Sequence, residues 1–556
     1  MESQQALKEE ARPRTPSLKT EIMRESINSS AKTRTLLPAL LSAALLWACY
    51  FPLNAGWLIW VALVPLLSLV RSDARPRSIY LSASGGALAF FTVSLQWVRV
   101  ADYRMYATWI GLSIWCALFI VAAVYLIRRL DRRTSLPLLL TVPLVWTGLE
   151  FLRAHLITGF PWYFLAHAQH NYLPVIQISD LGGAYAVTFL IAAVNAMVFE
   201  LLYRQRWFRR LMSLPLECPQ GTLRGLRVQS AVVAVMLGAT LAYGAWRLHQ
   251  ETFTQGPMVA LLQGNLDQRL RILASTPGGP EEALKHVQRH YAGLCDEAAA
   301  REPDLIVWPE TSFLGDWEEL KNWRTSLLLG MNTYVLDADG REHRYNSAVM
   351  ARRGGRVAGR YDKMHCVPFG EYVPLRDWIP WMNKLAPYDF DYSITPGQRF
   401  TRFPLGNYHF GVVICYEDTD PTLARQYVHA DNGEPPADFL INISNDGWFD
   451  GTSEHEEHLA ICRFRAIECR RAVARAVNMG ISAVIDGNGR IIALPGEDWE
   501  KSKKIDKVLR ASVPIDHRGS VYARFGDWLP WTCWLAIGSA FFYGFLWPKP
   551  AGNVSS

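Results

Sequence analysis

The sequence predicts a membrane-embedded helical bundle of about eight spans joined to a layered α/β domain. Three observations carry this expectation. Apolar runs with almost no charge fill residues 36–246 and return at 528–547, whereas residues 247–527 are polar and alternate strand-like with helix-like patterns. Arginines collect in every second loop between the apolar runs, the charge bias of a multi-span protein. Many of the 21 tryptophans lie near the ends of those runs, where an amphipathic ring suits a membrane–water interface.

Residues 1–35 are polar, mixed in charge and rich in Ser, Thr, Lys and Arg, and are expected to be disordered. No charge occurs from Leu36 to Val70, and Pro52-Leu53-Asn54-Ala55-Gly56 breaks this run into two short helices. Further spans are expected at Ser78–Val98, Met105–Ile127, Leu136–Leu152, Gly182–Leu202, Val228–Trp246 and Trp528–Trp547. Each is near the ~20 residues that cross a bilayer. Leu136–Leu152 is the least regular, holding Pro137, Pro143 and Glu150. The first run leads straight into a second span, so it reads as an anchor rather than a cleaved signal peptide.

One set of loops holds Arg71, Arg75 and Arg77, then Arg128, Arg129, Arg132 and Arg133, then Arg204, Arg206, Arg209, Arg210, Arg224 and Arg227. The alternate loops hold only Arg99, Arg104 and Arg153. With the N-terminus inside, seven spans in 36–246 put the arginine-rich loops in the cytoplasm and residues 247–527 outside. The span at 528–547 returns the chain.

The outer block alternates elements. Val259–Gln263, Asp304–Trp308, Tyr408–Cys415 and Asp438–Ile443 read as buried strands, Glu281–Arg301 and Glu454–Arg475 as helices, and Ile481–Ile492 as a strand pair turning at Asp486-Gly487-Asn488-Gly489. The net charge of +6 is spread over loops rather than gathered in a stripe, which excludes a nucleic-acid partner. Nine scattered cysteines, an odd number, argue against a disulfide framework. Neither zinc-ligand spacing nor a glycine-rich phosphate loop is present, so no metal and no cofactor is expected.

Three strand ends carry chemistry: Trp308-Pro309-Glu310, Tyr361-Asp362-Lys363 and Ile414-Cys415-Tyr416-Glu417. Strand ends are where α/β folds present reactive groups. A carboxylate, an ammonium and a thiol are a complete set for acyl transfer through a thioester. Singly each is weak, because a cysteine after an apolar strand is usually a small buried hydrophobe, a lysine usually solvated and a glutamate usually a cap or salt-bridge partner.

Their order and wording are stronger. Glu310, Lys363 and Cys415 follow the Glu-Lys-Cys order of the nitrilase superfamily, which the outer block resembles. More closely, the chain resembles the apolipoprotein N-acyltransferases. The outer block carries Leu262-Gln263-Gly264-Asn265, Trp308-Pro309-Glu310-Thr311, Val367-Pro368-Phe369-Gly370-Glu371-Tyr372-Val373-Pro374 and Asn442-Ile443-Ser444-Asn445-Asp446-Gly447-Trp448-Phe449. The membrane part carries Gly159-Phe160-Pro161-Trp162 and Asp180-Leu181-Gly182-Gly183. The chain departs from the pattern at Asp418-Thr419-Asp420-Pro421, at Cys366 and at the acidic stretch Glu454-His455-Glu456-Glu457-His458.

The resemblance implies an αββα sandwich in the outer block and a bacterial inner-membrane protein with that block on the periplasmic face. It implies transfer of an acyl chain from a phospholipid to the α-amine of a diacylglyceryl-cysteine in an apolipoprotein. Cys415 would be the nucleophile, Glu310 the proton acceptor, and Lys363 with the Tyr416 N–H the oxyanion partners. Glu371 and Glu417 would orient Lys363 and Glu310. Trp378, Trp381, Met382, Phe390 and Tyr392, within 375–399, read as an apolar arm at the bilayer surface, and Trp448 and Phe449 as the lining of an acyl entrance. A monomer is expected. The alternatives are a membrane-tethered amidase of the same fold and a transporter with an appended domain, for which Glu150 and Glu200 are the main charged candidates within spans.

Overall fold

The computed structural model of the chain describes residues 35–216, 222–250, 252–276, 278–315, 323–376, 378–385, 392–430 and 433–546. The segment expected to be disordered, apart from residue 35, lies outside them, as does Phe390.

The first apolar run forms α1 (Thr35–Cys49) and, after a turn, a short helical segment whose regular part is α2 (Val64–Arg71). Then follow α3 (Pro76–Ser94), α4 (Met105–Arg133), α5 (Leu138–His155), α6 (Ala184–Tyr203) and α7 (Leu223–Leu248). Among the described residues five helices are long and apolar enough to cross a membrane: Pro76–Val100, Met105–Arg133, Ala184–Tyr203, Leu223–Leu248 and Trp528–Leu546. The other three of the eight expected spans are also helical. Two are shorter, and α5 contains Pro143 and carries Glu150 and Arg153.

The arginine-rich loops share one end of the bundle. Arg71, at the end of α2, pairs with Asp131 near the end of α4 at 3.1 Å and with Glu200 near the end of α6 at 2.7 Å. Arg128 donates to the carbonyls of Leu69, Val70 and Ser72, which satisfies the open C-terminus of α2. Both glutamates weighed for transport have structural partners: Glu200 has Arg71, and Glu150 accepts from Trp146, Thr188 and the Leu165 N–H.

The α/β half is built on twelve described strands. They are β1 (Phe253–Gln263), β2 (Leu305–Val307), β3 (Ser326–Leu336), β4 (Glu342–Ala351), β5 (Val357–Asp362), β6 (Arg402–Leu405), β7 (Tyr408–Ile414), β8 (Phe439–Ser444), β9 (Ala472–Val477), β10 (Ala483–Ile485), β11 (Ile491–Ala493) and β12 (Lys507–Asp516). One sheet runs β12-β1-β2-β3-β4-β5, the other β11-β10-β9-β8-β7-β6. The strands β1, β2 and β3 are parallel neighbours, as are β7, β8 and β9. Val259, Leu305 and Val307 from one sheet share a core with Val412, Ile414 and Ile441 from the other.

α8 (Glu281–Ala299) covers the first sheet with Val287, Tyr291, Leu294, Cys295 and Ala298, spaced as one helical face. α9 (Glu454–Cys469) covers the second, and all sixteen of its residues are buried. Leu459, Cys462, Ala466 and Cys469 pack on the sheet, while Ile461, Phe464 and Ile467 join the core of the membrane bundle. Together the layers form the αββα sandwich. The helix expected over Glu454–Arg475 is shorter than that. Arg470 takes a left-handed conformation (φ 49°) that caps it, and the alternating Ala472–Val477 becomes β9.

The two halves meet at the bundle end opposite the arginine-rich loops. The carboxylate of Glu468 on α9 accepts the N–H of Ala184, at the start of α6, at 2.8 Å. Asp180, just before that start, accepts from Arg470 at 2.6 Å and from Arg247 at the end of α7 at 2.7 Å. The final helix, α10 (Trp528–Leu546), runs back toward the arginine-rich end, where Gly544 lies against Thr134.

Removing one partner of a buried ion pair leaves the other charge uncompensated, at a cost of about 3–5 kcal/mol. Asp180→Ala strands two arginines at the junction. We expect it to lower the thermal unfolding midpoint of the detergent-solubilised protein sharply, while the amount inserted in membranes stays the same. An unchanged midpoint would show that the junction does not depend on this cluster.

Candidate active site

Glu310 follows β2 across Trp308-Pro309, and a buried arginine, Arg271, fixes the turn by donating to the carbonyls of Glu310 and Thr311, each at 2.8 Å. The neighbouring β3 passes so close that a Cβ at Gly330 would collide with the Pro309 carbonyl oxygen. Lys363 follows β5; its N–H donates to the Asn346 carbonyl and its carbonyl accepts from Gly397, both at 2.8 Å. Cys415 follows β7 and opens a tight turn, Cys415–Thr419, with φ at 52°. A non-glycine residue adopts that conformation only when its surroundings impose it.

The fold brings these ends together. Lys363 Nζ lies 3.3 Å from Glu310 Oε1 and 2.8 Å from Glu371 Oε1. Asn346 Nδ2 donates to both carboxylates, at 2.7 Å to Glu310 and 3.2 Å to Glu371. Glu310 and Lys363 are buried and Cys415 is half-buried. Burial works against the Lys363 ammonium, but Glu371 and Glu310 outweigh it and hold its pKa well above the ordinary lysine range. Burial raises the Cys415 thiol, the Glu310 charge adds to this, and Lys363 and His458 only partly offset it, so its pKa is pushed up to about 12. At rest the centre therefore holds a thiol rather than a thiolate.

Glu371 contacts Lys363 directly, at 2.8 Å. Glu417 does not touch Lys363 or Glu310 through a hydrogen bond; it accepts from the N–H groups of Ile414 (2.7 Å), Met364 (2.6 Å) and His365 (3.0 Å) and from the Tyr361 hydroxyl (2.9 Å). It thereby ties the end of β7 to the segment that carries Lys363. Burial raises the Glu417 carboxyl above its usual range despite these donors.

Behind Cys415 lies a cluster that the sequence reading did not identify. Asp418, on the turn that Cys415 opens, accepts from Arg475 at 2.6 Å and faces His458 at 2.7 Å. Asp446, after β8, accepts from Arg475 at 2.7 Å and faces the other His458 nitrogen at 3.2 Å. Burial and Arg475 oppose the His458 charge, but Asp418 and Asp446 hold its pKa well above the ordinary histidine value. Asp446, Glu454 and His458 place metal-ligand atoms within 4.8 Å of one another. The Arg475 guanidinium occupies the same cluster, 2.9 Å from His458 Nδ1, so the protein supplies its own cation there. Asn346 was missed because it sits inside a regular strand. The His458 cluster was missed because its members come from four separate segments.

The residues expected to meet lipid divide. Trp378 is 87% exposed and Trp381 59% exposed, on a segment whose turn at Pro380–Leu385 approaches α4. Tyr392, by contrast, is buried, and its hydroxyl donates to the Phe369 carbonyl at 3.1 Å. Met382 and Trp448 are half-buried, and Phe449 packs edge-on against Trp97 of the membrane half at 4.7 Å.

Residues 42–197 match the family model described as the apolipoprotein N-acyltransferase N-terminal domain, and residues 258–520 match that of the carbon-nitrogen hydrolases. The apolipoprotein N-acyltransferase of Geobacter metallireducens is 33% identical over 521 residues, 90% of this chain and 93% of its own. The chain belongs to the apolipoprotein N-acyltransferase family. Further relatives with the same name, from Rhodopirellula baltica and Gloeobacter violaceus, are 27% and 29% identical, each over 87% of this chain. The half of this apolipoprotein N-acyltransferase relative that matches the hydrolase model contains Glu310, Lys363 and Cys415. The half that matches the N-terminal model supplies Trp97, packed on Phe449, and Trp162, packed on His458.

A thiol of pKa about 12 is ionised in only ~10⁻⁴ of molecules at pH 8, and only the thiolate is alkylated well. We expect alkylation of Cys415 by iodoacetamide, read by peptide mass spectrometry, to climb about tenfold per pH unit from 7 to 9.5. Glu310→Gln removes a charge that opposes ionisation and should label faster; Lys363→Met should label more slowly. A plateau near the free-thiol value of about 8.5 would show a solvated cysteine instead.

Proposed function

We propose that this chain transfers an acyl group from a phospholipid to the N-terminal α-amine of diacylglyceryl-cysteine in apolipoproteins, through a thioester on Cys415. The observation that carries the reading is the buried Glu310–Lys363–Glu371 cluster beside a strained, half-buried cysteine, in a domain packed on membrane helices. The names of the relatives supply the class of acceptor.

Cys415 keeps its proton until an ester arrives. Glu310 accepts that proton as sulfur attacks the ester carbonyl, the step in which a positioned base contributes most. The tetrahedral oxyanion lies against the Lys363 ammonium and the Tyr416 N–H. Collapse breaks the acyl C–O bond, and Glu310 protonates the departing lysophospholipid oxygen. In the second half the amine of the acceptor attacks the thioester, Glu310 takes its proton, and sulfur leaves and is reprotonated. Amide formation from a thioester is strongly downhill, so the second half drives the first. Lys363, already tied to two carboxylates, stays charged throughout. Two half-reactions on one thiol give ping-pong kinetics.

Water competes with the amine for the thioester, so the centre has to be screened. Exposed Trp378 and Trp381 fit an arm that rests in lipid. Apolar surface left in water costs about 25 cal/mol per Å², and the bilayer removes that cost. The expected site of action is the outer face of a bacterial inner membrane. Support comes from the α/β half sitting at the bundle end opposite the arginine-rich loops.

Incubated with labelled phospholipid and no acceptor, the protein should accumulate a labelled, hydroxylamine-sensitive thioester at Cys415. Cys415→Ala and Glu310→Gln should accumulate none. Trp378→Ser with Trp381→Ser should slow acylation from phospholipid at least tenfold more than from a short water-soluble ester, since the latter needs no extraction from the bilayer. Full activity in Cys415→Ala ends the thioester reading, and equal losses on both substrates end the arm reading. Ammonia release from small amides without thioester trapping would indicate an amidase.

In spheroplasts, a membrane-impermeant amine reagent should label Lys501 and Lys504, both exposed on the α/β half. Protection of both until the membrane is breached would place that half inside.

A further inference from the structure

The membrane half reaches the catalytic turn through one loop, residues 156–164, between α5 and the next short helix. Tyr416, directly after Cys415, donates its hydroxyl to the Gly159 carbonyl at 3.2 Å. Trp162 Nε1 donates to Glu457 on α9 at 2.8 Å, and the Trp162 ring lies 5.6 Å from that of His458, which anchors Asp418 on the same turn. The loop thus contacts the turn at Tyr416 and backs the cluster that holds its far end.

This loop is not in a conformation that its sequence favours. Ile157, Gly159 and Tyr163 have φ of 50°, 77° and 53°, and two of them are not glycine. A Cβ at Gly159 would strike the Ala154 carbonyl oxygen. Strain of this kind persists only when neighbours over-determine it. The neighbour here is Arg153, buried at the end of α5. Its guanidinium donates to the Trp162 carbonyl at 2.6 Å and to those of Phe160 and Tyr163 at 3.4 Å each. The rings of Phe91 and Phe164 lie 5.8 and 5.4 Å from it. A planar fork can serve three carbonyls at once, and a lysine ammonium on a flexible stem cannot hold the same geometry. Glu150, one turn earlier, is occupied by Trp146, Thr188 and the Leu165 N–H, so Arg153 is committed to the loop rather than to a salt bridge with it.

We propose that Arg153, a residue of the membrane half, is a positioning residue for acyl transfer. By fixing the 156–164 loop it sets the Gly159 carbonyl. That carbonyl holds the Tyr416 side chain, and with it the Cys415 thiol and the Tyr416 N–H, in the attacking geometry. This rests on the reading of Cys415 as the nucleophile. It makes the membrane bundle a working part of the centre and not only its anchor.

The test uses the full chain in detergent with two acyl donors, phospholipid in mixed micelles and a short water-soluble ester. Acyl-enzyme formation is followed in Arg153→Lys, Tyr416→Phe and the double variant. Arg153→Lys should slow acylation by about 10- to 100-fold from both donors, with KM for the soluble ester unchanged, because misplaced groups lose rate rather than binding. Tyr416→Phe, which deletes only the hydroxyl on the loop contact, should lower kcat for both donors too. The double variant should be no slower than the slower single one. An unaltered rate in Arg153→Lys overturns the proposal, as does a loss confined to phospholipid with raised KM, or losses that multiply in the double variant. If Arg153→Lys does not fold, Tyr416→Phe decides: an unchanged kcat refutes the contact. Activity in Cys415→Ala would instead remove the thioester reading beneath it, whereas an inert Cys415→Ala beside a normal Arg153→Lys removes this inference alone.

Discussion

The burial of α9 on every side is the constraint on which the rest of the molecule depends. A helix with Glu454, Glu456, Glu457, Arg463, Arg465 and Glu468 would ordinarily lie on a surface. Here one face covers the second sheet and another the membrane bundle, so each charge needs a partner to offset its desolvation. Glu456 meets Lys503, Glu457 accepts from Trp162, Arg463 donates to the Gly489 carbonyl, and Arg465 pairs with Glu468. Of these partners Trp162 comes from the bundle, which also supplies His170 and Asn171 to Arg463 and the Ala184 N–H to Glu468. The helix cannot be fully satisfied within the α/β half alone, which makes the junction obligatory rather than a tethered contact.

The same helix holds the candidate active site. Arg465 donates to the Thr419 carbonyl at 2.8 Å, at the far end of the Cys415 turn, and His458 faces Asp418 within it. Arg475 on β9 bridges Asp418 and Asp446, joining that turn to the loop that carries Trp448 and Phe449. The strained φ of Cys415 is thus held from three sides, by Glu417 at the strand end, by α9 behind and by Gly159 beneath. A centre fixed in this way loses little entropy on reaching the attacking geometry.

Much of this was legible in the sequence, for identifiable reasons. Buried parallel strands read as continuous apolar runs, so β2, β7 and β8 could be placed, and with them the candidate reactive residues just past two of their ends. Glu310 and Lys363 stand out in the sequence because motif and strand end coincide, and Glu371 because it lies in the Val367–Pro374 motif. The helix over-extended to Arg475 failed because Arg470, a poor left-handed residue by propensity, is forced there by Asp180 and Gln177 of the membrane half. The backbone donors of Glu417 are not legible in the sequence, because a carboxylate that satisfies backbone N–H groups looks the same there as one that orients a lysine. The stretch Glu454–His458 stood out as a departure, and it is an interface. Which charges are buried depends on packing between distant segments, and no local pattern records that.

The pairing of a high thiol pKa with a well-charged lysine follows from what the site must avoid as much as from what it must do. A standing thiolate at a half-open centre would react with any oxidant or electrophile that reached it. Glu310, close to Lys363, raises the cost of ionising Cys415, so a second negative charge is disfavoured while the first is present. In the proposed reaction Glu310 accepts the proton, that repulsion disappears and Lys363 has charge to spare for the sulfur and then for the oxyanion. The base and the electrostatic brake would then be one group. Deprotonation would be released only by the transfer that starts the reaction, and the nucleophile would be strongest when an ester is already in contact with it.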